Sequence, residues 1–195
     1  MIFFTSDLHL GSDNTIKFDN RPFKNSKKFV QYTIKAWNKL AKKNDTIYVI
    51  GDLVDCHSKT DDICLKKFLV AKKVKAKIIL IIGNNEERII KYFFNNSFDL
   101  FKKYCLNCGL FDVKLNATIS INKNKFYLTH KPKNHKKNIL NLFGHSHKAM
   151  GLYVPFGFNI GCDLNNYKPY SETDITALLQ KKLNYWDKDE NLHLT

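Results

Sequence analysis

Five short polar clusters fall in one order along the chain: Asp7-Leu8-His9, Gly51-Asp52-Leu53-Val54-Asp55, Gly83-Asn84-Asn85-Glu86, Thr129-His130 and Gly144-His145-Ser146-His147. Carboxylate oxygen, amide oxygen and imidazole nitrogen, with no thiolate among them, make a mixed ligand set suited to divalent metals. Taken singly, each cluster has an ordinary reading. Asp7 could cap a helix, Gly51-Asp52 and Gly83-Asn84 could be turn residues, and His130 could be a hydrogen-bonded core histidine. Alternate histidines at 145 and 147 are harder to place that way, because both would have to converge on something. All five together point to a binuclear metal centre.

Hard ligands of this kind must be held by rigid elements, and the sequence supplies them. Four of the clusters follow runs rich in Ile, Val, Phe, Leu or Tyr, and Thr129-His130 closes such a run. The pattern alternates strand and helix at first and is then strand-rich. Strands are expected over Ile2–Ser6, Thr46–Ile50 and Lys77–Ile82, the last of the fully buried type. Further strands are expected over Ala117–Ile121, Lys125–Thr129, Ile139–Phe143, Gly151–Val154 and Phe158–Ile160. Helices are expected from Ser26, as a cap, through about Lys42, and from Asp61 or Asp62 through about Lys73. Others should cover Glu86–Phe94, Phe98–Tyr104 and Ser171–Lys182. Leu10–Lys24 reads as a long loop.

The 195 residues suit one domain spanning 1–195, with 44% hydrophobic and 26% charged residues as in ordinary globular chains. No apolar run is long enough for a bilayer, and the N-terminus lacks the basic, apolar and small-residue order of a secretory signal. A cytoplasmic protein is therefore expected, with no membrane partner. The five cysteines are scattered, and Cys105 and Cys108 have no second CxxC to pair with. Buried reduced thiols are the expectation.

The net charge is +14, and Arg21 and Arg88 are the only arginines among the basic residues. Lysine accompanied by abundant Asn, Ile and Phe is what AT-rich coding produces, with the lysines on a solvated surface. A field that steers polyanions is the other reading. Lys131-Pro132-Lys133-Asn134-His135-Lys136-Lys137 directly follows His130, which sets those charges beside the candidate centre.

The five clusters resemble the motif set of the calcineurin-like metallophosphoesterase superfamily: D-x-H, G-D-x-x-[DE], G-N-H-[DE], a lone H, and G-H-x-H. The resemblance runs from Ile2 to about Pro169. Within the superfamily the chain resembles a group of small bacterial and phage phosphoesterases, through Arg21-Pro22-Phe23, Trp37-Asn38, Asp45-Thr46, and Asn159-Ile160-Gly161-Cys162-Asp163 leading to Tyr167-Lys168-Pro169. The resemblance implies an α/β fold, a four-layer α/β/β/α sandwich of two mixed sheets. It implies two divalent metal ions, with manganese favoured and iron, nickel or zinc also fitting. One ion would take Asp7, His9 and His147, and the other Asn84, His130 and His145. Asp52 would bridge them and Asp55 would support a ligand from behind. Two cations about 3.5–4 Å apart clamp an in-line phosphoryl displacement and activate a shared hydroxide for attack on phosphorus.

The chain departs from the family pattern at Asn85, where histidine is usual and is thought to protonate the leaving oxygen. Asparagine donates a hydrogen bond but is no general acid near neutral pH. Some members without that histidine resemble dedicated phosphodiesterases, and others resemble scaffolds with degenerate sites. With the presumed ligands intact, the expectation is a phosphodiesterase acting on a nucleotide-like substrate. A nuclease of the same chemistry and a catalytically weak metal-binding module are the alternatives, the latter needing an apolar patch such as Tyr153-Val154-Pro155-Phe156. His57 and His135 are candidate surrogate acids or simply exposed loop histidines. Arg21 either holds substrate phosphate, which its planar guanidinium suits, or forms a salt bridge that pins its loop. The oligomeric state is not written in these residues.

Overall fold

A computed structural model of the chain describes residues 1–57 and 63–185. Two five-stranded mixed sheets stack in an α/β sandwich. The first contains β1 (Ile2–Thr5), β2 (Thr46–Ile50), β3 (Lys77–Ile81), β4 (Asp112–Lys114) and β10 (Tyr170–Ser171), in the order β10-β1-β2-β3-β4. Its first four strands run parallel and β10 joins antiparallel. The second contains β5 (Ala117–Ile121), β6 (Asn124–Leu128), β7 (Leu140–Phe143), β8 (Tyr153–Val154) and β9 (Gly157–Asn159), in the order β5-β6-β7-β9-β8. In it β6, β7 and β9 run parallel.

Alternation along the strands sorts the core into two layers. Phe3, Ile47, Val49, Ile78, Leu80 and Val113 face the helices α2 (Ser26–Leu40), α4 (Asn84–Phe93) and α5 (Phe98–Asn107), which contribute Phe29, Trp37, Ile89 and Phe101. Phe4, Ile50 and Ile81 face the other way, against Phe126, Leu128, Leu142 and Phe158 of the second sheet. The last helix, α6 (Glu172–Tyr185), packs Ile175 and Leu179 into this inter-sheet layer. Ser171 and Asp174 cap it reciprocally, the Ser171 N–H donating to Asp174 and the Asp174 N–H to the Ser171 hydroxyl. All five cysteines are buried, and no helix among the described residues is long and apolar enough to cross a membrane.

The structure adds elements to those expected, among them the two-residue strand β10 where only a helix start at Ser171 was foreseen. Within the supposed loop, Asp13–Phe18 is a short helix, α1, capped by the Ser12 side chain. The three-residue strand β4 escapes notice because Val113 is its one buried side chain. Several boundaries also move. Asn25, not Ser26, caps α2 by accepting from the Lys28 N–H. The expected start at Asp61 or Asp62 lies outside the described residues. Helix α3 (Ile63–Lys66) is a single turn that runs into a 3₁₀ stretch, Lys67–Lys73. Helix α4 begins at Asn84, two residues earlier than expected, so both asparagines sit in its first turn.

Candidate metal centre

The parallel strands bring the polar clusters to one edge. Asp7 and His9 follow β1, Asp52 follows β2, Asn84 follows β3, His130 follows β6, and His145 and His147 follow β7. Backbone bonds knit these ends together: the His9 N–H donates to Asp52 O, the Gly144 N–H to His130 O, and the Cys162 N–H to Ser6 O. An isolated parallel bridge between Ser6 and Gly161 ties the ends of β1 and β9, and so joins the two sheets beside the site.

The backbone that carries the candidate ligands is strained. Asp7, His9, Asp52, His145 and His147 have φ of 56°, 48°, 52°, 74° and 47°. Such left-handed conformations cost a non-glycine residue about 1–3 kcal/mol and collect where function over-determines the chain. The glycines of the motifs are needed for a different reason. A Cβ on Gly51 would lie 2.3 Å from His130 Nδ1, one on Gly83 2.4 Å from Asp52 Oδ1, and one on Gly144 2.2 Å from Ser6 Oγ. Each leaves room for a candidate ligand, or for a side chain that holds one.

The residues fit two cations. His9 Nε2 and His147 Nε2 approach to 3.2 Å, and donor atoms of Asp7, His9 and His147 all lie within 4.8 Å of one another. Asn84 Oδ1 lies 2.9 Å from His130 Nε2 and 2.8 Å from His145 Nδ1, so one amide oxygen and two imidazoles converge. Between these groups, Asp52 turns one oxygen toward each: Oδ2 is 3.6 Å from His9 Nε2 and Oδ1 is 3.6 Å from His130 Nε2. Asp7, Asp52 and His130 also form a compact group.

Partners behind the candidate ligands fix their orientation. His130 Nδ1 sits 2.9 Å from the Ile50 carbonyl, which makes it the protonated nitrogen and aims Nε2 into the centre. Asp7 accepts from the Ser6 hydroxyl at 2.7 Å and from the His145 N–H at 2.9 Å. Asp55 stands 3.9 Å behind His9 Nδ1. Burial resists its charge, but His9 and Ser12 hold its pKa down to about 2. For Asp52 too burial works against the charge, and His130 and His9 more than compensate, so its pKa is well below the usual range. Burial disfavours a charged His130, yet Asp52 and Asp7 raise it to about 9 in the metal-free protein. His145 is lowered by burial and by His130.

Arg21 is turned into the interior of the protein. Its guanidinium is fully buried, with Nε and Nη2 on the two Asp163 oxygens at 2.9 and 2.8 Å. Nη1 and the same Nη2 donate to the carbonyls of Leu8 and Asp7 at 2.8 and 2.7 Å. The ring of Phe29 lies 5.0 Å from the guanidinium carbon, so no planar face is open to a phosphate. Of its two readings, the salt bridge that pins the loop is the one the geometry matches, and the pinned segment includes the backbone of Asp7.

Asn85 is turned toward Asp52. Its side chain is buried, and its amide and backbone N–H groups both donate to Asp52, at 2.8 and 2.9 Å. It orients a candidate ligand and offers no proton. Of the candidate surrogate acids, His57 pairs with Asp55 at 3.2 Å, and exposed His135 stacks on Phe156 with ring centroids 4.3 Å apart. In Tyr153–Phe156, Tyr153 and Pro155 are exposed while Val154 is buried and His135 stacks on Phe156, so the apolar surface there is broken.

Three supporting residues were given no role from sequence: Glu86 and Asp163 stand within quoted motifs, and Asp19 in none. Glu86 is completely buried and accepts from the N–H groups of Asp52, Leu53 and Gly83 at 2.9, 3.0 and 2.8 Å. Burial and the Asp52 charge raise it, the N–H donors lower it, and its pKa is about 7. Asp19 lies 2.9 Å from His147 Nδ1 as an ion-pair contact too bent for an in-line hydrogen bond, and Asp163 lies 3.5 Å from the same atom. Burial disfavours the His147 charge, but Asp163, Asp7 and Asp19 outweigh it and raise its pKa. An acid three residues into a helix that follows Gly-Asn was the available signal for Glu86. Nothing local marks Asp19.

The chain is 27% identical over 191 residues to the uncharacterized protein MJ1445 of Methanocaldococcus jannaschii, covering 92% of each. Among solved structures it resembles the protein of unknown function AQ665 from Aquifex aeolicus, with a TM-score of 0.65 and 22% identity over 91% of this chain and 98% of that one. An archaeal phosphodiesterase aligns with a TM-score of 0.45 and 18% identity, over 82% and 81%. The family model for calcineurin-like phosphoesterases matches residues 1–168, a span that holds all the candidate ligands. The chain belongs to the calcineurin-like phosphoesterase family.

Proposed function

We propose that this chain is a phosphodiesterase dependent on two divalent metal ions, with a nucleotide-like substrate. The observation that carries the reading is Asp52, whose two oxygens face a histidine of each ligand group while Asn85 fixes their rotation. Asp7, His9 and His147 would hold one ion, and Asn84, His130 and His145 the other. When bound, the ions supply charge neutralisation at the phosphoryl oxygens and an activated water. The chain supplies the rest. Ile50 and Asp55 aim His130 and His9, Ser6 and the His145 N–H aim Asp7, and Arg21 with Asp163 pins the strand end that carries Asp7.

Asn85 supports the preference for diesters. A monoester brings two negative charges on the transferring group where a diester brings one. Asn85 offers neither the positive charge to balance the second nor a proton for an alkoxide. Manganese is the favoured metal, with iron, nickel and zinc compatible with the same nitrogen–oxygen set. The nuclease alternative draws support from Lys133, Lys136 and Lys137, which are exposed just beyond His130. For it, oligonucleotide binding should weaken steeply with salt.

The test is hydrolysis of an aryl phosphodiester and the matching monoester by metal-stripped protein resupplied with Mn²⁺, with Asp52→Asn as control. Metal-dependent diester turnover that is lost in the variant is expected. Turnover of neither ester, with two ions bound, would contradict the catalytic reading and favour a binding module.

A further inference from the structure

A cleft of about 290 Å³ opens beside His130, and its lining differs in character from the metal centre. His130 forms one wall. Ile82 and Leu115 supply apolar surface, and Leu115 is 57% exposed, a large side chain with little protein over it. Asn116 and Asn134 contribute exposed side-chain amides that make no hydrogen bond among the described residues. At the mouth, Lys131 Nζ sits 2.5 Å from the Glu87 carboxylate, so the two charges in the lining cancel.

These features narrow the occupant. A second phosphate finds no unpaired cation in the lining itself, because Lys131 is already matched by Glu87. An acyl or alkyl chain would leave both amides facing hydrocarbon. Each amide carries one acceptor and two donor hydrogens, the complement that the edge of a purine or pyrimidine presents. Bases held outside a duplex are read in this way, by hydrogen bonds to their edges and contact with their flat faces. Leu115 and Ile82 offer the apolar contact, and His130 keeps the cleft in touch with the metal centre. The volume is near the lower end for small-molecule sites, about 300 Å³.

We propose that this cleft holds the nucleobase of a nucleoside phosphodiester whose phosphate lies at the metal centre, with Asn116 and Asn134 reading the base edge. The inference rests on the phosphodiesterase reading and adds to it the part of the substrate that confers selectivity. The cleft is built by separate segments: the β4–β5 connection with Asn116, β6 and the chain after it with Tyr127, His130 and Asn134, Ile82 just after β3, and α4 with Glu87.

The experiment compares Mn²⁺-loaded wild type, Asn116→Ala and Asn134→Ala on two diesters, a nucleoside 5′-(p-nitrophenyl) phosphate and bis(p-nitrophenyl) phosphate. The readout is the ratio of kcat/KM between the two substrates. Loss of one base-edge hydrogen bond should lower that ratio about 5–10-fold in each variant, with thermal unfolding unshifted because neither amide has an intramolecular partner. A ratio equal to wild type in both variants would overturn the proposal. If wild type turns over neither diester, the phosphodiesterase reading fails by itself. The cleft is then read by equilibrium binding of AMP and UMP to the same three proteins. Binding weakened in the variants would sustain the cleft, and absent or unchanged binding would overturn it.

Discussion

Replacing Arg21 with Met separates the two roles open to this residue. The guanidinium is buried against Asp163, which is buried as well, and its remaining donors engage the carbonyls of Asp7 and Leu8. Removing one member of a buried hydrogen-bonded ion pair costs about 3–5 kcal/mol, because the other charge is left without compensation. Methionine keeps much of the contact with Phe29 and Tyr167, so packing adds little to that cost. For a chain of this length about 1 kcal/mol corresponds to 2–4 °C in Tm, and about 4 kcal/mol therefore becomes a fall of about 8–16 °C. Urea and thermal unfolding of the metal-free protein, followed by circular dichroism, would measure it without interference from metal loading. Arg21→Lys should recover only part of the loss, since an ammonium cannot span both Asp163 oxygens and two carbonyls at once. In a double-mutant cycle with Asp163→Asn, the two losses should fall well short of adding. A destabilisation under about 1 kcal/mol, with diester KM raised instead, would refute the burial argument and return Arg21 to the substrate.

The same geometry sets three other expectations. Gly51→Ala places a methyl 2.3 Å from His130 Nδ1 at a φ of +82°; the left-handed backbone alone costs about 1–2 kcal/mol, and elemental analysis should show loss of metal bound through His130, whereas two retained ions would contradict it. Stripping metal with a chelator should lower Tm by about 5–10 °C relative to protein held at about 100 times the dissociation constant, because that excess contributes about 2.7 kcal/mol; an unchanged Tm would mean the native state binds no metal. Burial raises Asp112, but Lys102 and then the Val113 N–H and Lys114 lower it below its ordinary 3.8. Its folded pKa is the depressed one, so its contribution is present above the unfolded value and disappears as pH falls through the folded value. The side chain is partly exposed, so wild type should exceed Asp112→Asn by less than about 1 kcal/mol at pH 7, with the curves converging below 3.8; a gap persisting at pH 2 would be the contrary result.

The order of the candidate ligands was legible because each motif is local. A glycine next to Asp52, Asn84 or His145 is demanded by close approach within the site, so glycine and ligand travel together in sequence. The strands that carry them are also local signals, apolar runs whose ends coincide with the motifs. The Arg21–Asp163 pair is different: its members stand 142 residues apart and meet only through the fold. Residue types alone leave Arg21 equally suited to phosphate or to a carboxylate, and burial decides between them. The same holds for Asn85, whose identity was informative while its direction, toward Asp52, was not. Helix α1 carries a local signal in the Ser12 cap, but with Ile16 as its one buried side chain it has no apolar stripe to detect. Glu86 reads in sequence as a helix-starting acid, and only the tertiary structure brings the N–H groups of Asp52 and Leu53 onto it.

Anomalous diffraction from crystals grown with Mn²⁺ tests the binuclear centre most directly. The account predicts two peaks about 3.5–4 Å apart, one against Asp7, His9 and His147, the other against Asn84, His130 and His145, with Asp52 between them. A single peak, or two peaks not bridged by Asp52, would contradict it.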